Sequence, residues 1–155
     1  MNKIIDITKF NYKYVILFSW MLFIFLLSNE PSGVSSGRSD MIVYAISSTL
    51  HLTLSQEIVT FLVRKSAHIA AYFILGILIY NIIKDYKKLS FKSKAIYSSL
   101  FVLLYAVTDE IHQLFVQGRS CELRDVLIDF IAGFIGIMVY IGINKFINNY
   151  FIKIK

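Results

Sequence analysis

The sequence predicts an all-α polytopic membrane protein, with four transmembrane helices and short interfacial helices in the first extracytoplasmic loop. Three observations carry that prediction. The 155-residue chain is 57% hydrophobic and only 17% charged, with a mean hydropathy of +0.65; soluble domains are about half apolar and about a quarter charged. Uncharged apolar runs alternate with short charged segments. Eleven of the twelve lysines fall in the amino terminus, one middle loop and the tail. A net charge of +6 distributed in this way marks membrane topology and excludes a nucleic-acid-binding face.

The first element follows a short basic segment, residues 1–13, with Lys3, Lys9 and Lys13 against Asp6. Tyr14 to Ser28 then runs fifteen residues without a charge, giving a first span over about 14–29. No small-residue cleavage pattern follows, so this run reads as an uncleaved signal anchor. Ser28-Asn29-Glu30-Pro31-Ser32-Gly33 stops the helix, and Ser35 to Asp40 is turn-like. Met41 to Leu50 and Gln56 to Val63 are apolar but too short to cross a bilayer, and they read as interfacial or re-entrant helices.

A second span, 66–83, follows Arg64-Lys65 and carries His68 near one end and Asn81 near the other. Lys84 to Lys94 is a loop with five lysines. The third span, 95–115, is uncharged from Ala95 to Val107 and then meets Asp109-Glu110-Ile111-His112-Gln113. Val116 to Arg124 connects it to a fourth span, 125–144. No repeat or low-complexity linker divides the chain, so residues 1–155 form a single domain. Cys121 is the only cysteine, which excludes an intramolecular disulfide.

The lysine distribution places both termini and the middle loop in the cytoplasm by the positive-inside rule. All four arginines and Lys65 then fall on the opposite side. Arginine there needs a local reason, and its forked donors suit carboxylates and phosphates. Counting from the cytoplasmic lysines, Lys84 to His68, Lys145 to Asp129 and Lys13 to Asn29 are each 16 positions, and Lys94 to Asp109 is 15. At about 1.5 Å per helical residue these paths are roughly 22–26 Å. Four helices therefore carry their polar groups in one layer, in the outer part of a hydrocarbon core about 30 Å thick.

Tyr105, Asp109 and His112 share one helical face, Arg64, His68, Tyr72 and Gly76 a second, and Asp125, Asp129 and Gly133 a third. Ionisable groups inside membrane spans are costly and commonly mark function. The candidate pocket so defined comprises Glu30, Arg64, Lys65, His68, Tyr72, Asp109, Glu110, His112, Gln113, Arg119, Asp125 and Asp129. Three chemistries suit these residues. The charges can pair only with one another and fix helix register. The arginines can grip an anionic lipid headgroup or peptidoglycan precursor. Or His68, His112 and the carboxylates can hold a divalent metal or move protons in a membrane hydrolase acting on a lipid-linked phosphate. The spacing is not that of a His-Glu-x-x-His zinc motif, and no catalytic residue or cofactor is assigned.

Val63-Arg64-Lys65-Ser66-Ala67-His68 with Tyr72 and Leu75-Gly76, then Asp109-Glu110-Ile111-His112-Gln113, then Gly118-Arg119 and Asp125, resemble the VanZ-like family. Ser28 with Asn29-Glu30-Pro31 resembles the end of its first helix, and the resemblance covers most of residues 14–140. Asp129 departs from it, since many members carry Asn there, so a role for a neutral amide does not carry over. The resemblance implies a small bacterial integral membrane protein of the cell membrane, linked with reduced susceptibility to teicoplanin and related glycopeptides. It implies no particular reaction.

Overall fold

A computed structural model describes residues 2–29, 31 and 56–153. The described chain is four α-helices with no strand: α1 (Asn2–Ser28), α2 (Gln56–Ile83), α3 (Phe91–Gln113) and α4 (Leu123–Lys153). Glu30 and the expected interfacial helix at Met41 to Leu50 lie outside the described residues.

Each helix begins and ends for a local reason. α1 has no glycine or proline to interrupt it and stops just before Pro31, which disfavours helical geometry in the residue preceding it. α2 starts earlier than expected. Gln56 to Val63, read as a separate short helix, is the first part of α2 and continues unbroken through Arg64-Lys65. Charge alone does not break a helix, and these residues contain no glycine or proline. α3 opens on Ser90, whose side-chain oxygen accepts the Ser93 N–H at 3.1 Å. Capping of this kind satisfies an amide that the helix leaves without a partner. Beyond α3 the chain turns through Val116 to Arg119, where Gly118 sits at φ 75°, a left-handed conformation that glycine adopts without steric cost. α4 carries Asp125 in its first turn, where a carboxylate complements the helix dipole.

α2 is the centre of the bundle and touches the other three helices. Its buried Tyr72, Leu75 and Ile79 form the core with Ile24 of α1, Val102 and Ala106 of α3, and Ala132 and Ile137 of α4. α2 and α4 approach closely because glycines face each other across the contact. A Cβ on Gly76 would stand 2.1 Å from the Gly133 carbonyl oxygen, and one on Gly136 equally close to that of Phe73. Small residues permit this approach between membrane helices. Among the directed bonds that tie α1 on, two use backbone carbonyls. Trp20 Nε1 donates to the Ala71 carbonyl at 2.9 Å, and the Tyr105 hydroxyl to the Met21 carbonyl at 2.6 Å.

The outer faces of all four helices are apolar. Phe18, Leu22, Leu62, Leu100, Leu104, Leu127, Ile131 and Phe146 are exposed, a belt too extensive for a water-facing surface. Among the described residues, two stretches are long and apolar enough to cross a membrane. They are Leu62–Ile83, with 22 residues at mean hydropathy 1.8, and Leu123–Tyr150, with 28 at 2.4. Tyr12–Ser28 is a shorter apolar stretch. At one end of the bundle Lys13 pairs with Asp85, and Lys94 Nζ donates to the Lys84 carbonyl at 2.6 Å. Lys84 itself bonds the Tyr140 hydroxyl, which donates to Asn81 Oδ1 at 2.7 Å. The polar side chains of interest gather at the other end.

Candidate functional site

The site has two connected parts, an inner cluster between the helices and an outer chamber beneath the α3–α4 connector. In the inner cluster, α1, α2, α3 and α4 contribute Ser28, His68 with Tyr72, Asp109, and Asp129. One ligand-capable atom from each of His68, Asp109 and Asp129 lies within 4.8 Å of the other two. Asp109 Oδ2 accepts from Ser28 Oγ at 2.9 Å and from the Tyr72 hydroxyl at 3.2 Å. Asp129 is only 2% exposed, and His68 Nδ1 stands 3.5 Å from its Oδ2. Three of the four paths counted from the lysines thus end at residues that meet, His68, Asp109 and Asp129.

The outer chamber has a volume of about 230 Å³ and is lined by Arg64, Lys65, His68, Gln113, Gly118, Arg119, Ser120, Glu122, Arg124 and Asp125. His68 belongs to both parts and joins them. Among the described residues, four cations face two carboxylates across this space. Lys65 pairs with Asp125 Oδ2, and Arg124 pairs with Glu122 at 2.8 Å. Asp125 Oδ1 is buried without a hydrogen bond, with Arg124 Nε 3.9 Å away. Arg119 donates to Gln113 Oε1 and to the Leu27 carbonyl, each at 3.4 Å. Arg64 has no hydrogen bond or ion pair among the described residues.

Glu110 holds the chamber roof to α3. Only 1% exposed, it accepts the Glu122 backbone N–H at 3.0 Å and Gln113 Nε2 at 3.2 Å. A buried carboxylate between two donors has a partner on each oxygen, which is what burial of the group demands.

Of the twelve residues named from the sequence, six line the chamber: Arg64, Lys65, His68, Gln113, Arg119 and Asp125. Tyr72, Asp109 and Asp129 form the inner cluster with His68, and Glu110 fastens the roof. His112 stands apart. Its Nε2 is 3.2 Å from Asn29 Oδ1 and its ring packs 4.4 Å from that of Phe25, on the α1 side. Glu30 is outside the described residues. Ser28, Ser120 and Glu122 join the site without having been chosen for it, and Arg124, expected to fold over the polar layer with Arg119, lines the chamber. Helical spacing from Asp125 places neither Glu122 nor Ser120, because both precede α4.

No curated protein and no solved structure matches the chain. The family model described as VanZ/LLP1 matches residues 13–147, nearly the whole chain, including both parts of the site. The chain therefore belongs to the VanZ/LLP1 family.

Proposed function

We propose that this protein crosses the cytoplasmic membrane four times, with both termini inside, and lowers susceptibility to teicoplanin-type antibiotics. It does so by binding an anionic envelope group, a lipid headgroup or a peptidoglycan precursor, in a chamber open to the outside. Family membership supports the first part of this reading. The observation that carries the second is Arg64, a guanidinium that lines the chamber with no carboxylate paired to it among the described residues. An unneutralised arginine in a partly enclosed space favours a bound anion, and its planar fork matches phosphate and carboxylate oxygens. Lys65 and Arg124 carry carboxylate partners of their own, so they shape the chamber more than they supply its excess charge.

A teicoplanin susceptibility assay on Arg64→Ala and Arg119→Ala, with membrane abundance measured alongside, tests the reading. Both variants are expected to insert at normal levels and to lose the protection. Loss of abundance in step with loss of protection would mean that these arginines only hold the fold.

A second reading, a membrane hydrolase acting on a lipid-linked phosphate, is favoured by one feature: the His68–Asp129 pair opens onto the chamber through His68. An imidazole oriented by a carboxylate is a common acid–base arrangement. Release of phosphate from a lipid pyrophosphate by purified protein separates this reading from simple binding.

A further inference from the structure

We infer that His68, Asp109 and Asp129 form a divalent-cation site at the floor of the chamber, with zinc the preferred ion. The three side chains come from three different helices, α2, α3 and α4, and converge to within 4.8 Å. Their chemistry is a mixed nitrogen and oxygen set, which suits zinc, whereas calcium and magnesium favour oxygen alone.

Two further observations point to an ion between them. Asp129 is 2% exposed, and His68 is its only partner among the described residues, at 3.5 Å. That distance is too long for a good N–H···O hydrogen bond. It matches the separation of two ligands on one ion, since groups about 2.1 Å from a tetrahedral zinc stand about 3.4 Å apart; the wider 4.8 Å spread of the three atoms requires the set to draw together on binding. Charge agrees with geometry. As zinc ligands, two carboxylates and an imidazole bring two negative charges, which one divalent cation neutralises in an interior where unpaired charge is expensive.

The surroundings suit a metal ligand set. Ser28 Oγ and the Tyr72 hydroxyl both donate to Asp109 Oδ2, fixing that carboxylate as outer partners of metal ligands do. Three protein ligands leave a fourth tetrahedral position open, as in zinc sites that bind an exchangeable group. His68 also lines the chamber, so the cluster borders it.

Full-length protein in detergent, stripped with EDTA, tests the site by zinc content and by titration with cobalt(II), whose visible absorption reports tetrahedral ligation. One equivalent of each metal is expected. His68→Gln and Asp129→Asn should each weaken binding by at least about a hundredfold, and Tyr72→Phe by about tenfold. Circular dichroism checks that the variants remain helical. If Asp129→Asn unfolds, His68→Gln carries the comparison, because His68 borders open space. Wild-type protein that takes up neither metal, or equal affinity in wild type and His68→Gln, would overturn the proposal. Metal content is read without any antibiotic, so this site and the chamber's anion-binding role stand or fall separately.

Discussion

The last turn of α3 shows how far neighbouring residues can diverge in task. Asp109 enters the inner cluster, Glu110 and Gln113 hold the connector, Ile111 is exposed on the outer face, and His112 meets α1. Glu110→Ala would leave the Glu122 N–H and the Gln113 amide without their acceptor, at a cost of about 1–3 kcal/mol. Its expected result is a lower thermal midpoint in detergent together with weaker protection, because Gln113 in turn contacts Arg119. Gly118→Ala should cost about 1 kcal/mol through its positive φ, seen in the same melt. His112→Ala should spare protection far more than Arg119→Ala does, since His112 lies outside the chamber lining. Equal losses in the two susceptibility assays would place His112 back among the ligand-binding groups. The shared face of Tyr105, Asp109 and His112 was legible from helical spacing. What it faced was not. All three side chains turn toward α1, at Met21, Ser28 and Asn29, because helix periodicity defines a face without naming the neighbour it meets.

Among the elements, the α2–α4 pair decides whether the inner cluster exists. His68 and Asp129 can stand 3.5 Å apart only because Gly76, Gly133 and Gly136 let the two backbones come together further down. A methyl on Gly76 would meet backbone atoms of Gly133, which cannot rotate away as a flexible side chain would. Gly76→Ala is therefore expected to push the helices apart, lowering stability by about 1–3 kcal/mol and separating His68 from Asp129. Loss of cobalt binding with a lowered melting temperature would show the linkage; an unchanged melt would mean that the contact yields easily. Gly142 serves as the control, because a Cβ there meets nothing within 4 Å. The small residues on these faces were visible in the sequence, and so was the common depth of the polar groups. The extension of α2 back to Gln56 was not, because Arg64-Lys65 looks like a boundary when charge is taken as the end of a span. Here the two cations face the chamber instead, so the helix carries them without exposing either to apolar surroundings.

At the scale of the whole molecule, the two ends of the bundle differ in the kind of charge they carry. Lysines gather at one end around Asn81, Lys84, Asp85 and Tyr140, while the described arginines all belong to the chamber at the other. Lysines flanking spans set orientation, and the proposed topology keeps them on the cytoplasmic side and the chamber outside. Cys121 makes this testable, being the only cysteine and exposed in the connector over the chamber. A membrane-impermeant maleimide is expected to label it in intact cells whose outer barriers admit the reagent. In a Cys121→Ala background, Ser93→Cys near the lysine loop should label only after lysis. The reverse pattern would invert the orientation, and labelling of both positions from outside would mean that α3 does not cross the bilayer. The outcome also bears on function, because a chamber that binds an outer-leaflet group must open on the face where the antibiotic acts. A chamber facing inward would leave the arginines beside cytoplasmic anions and remove any direct route from this site to teicoplanin.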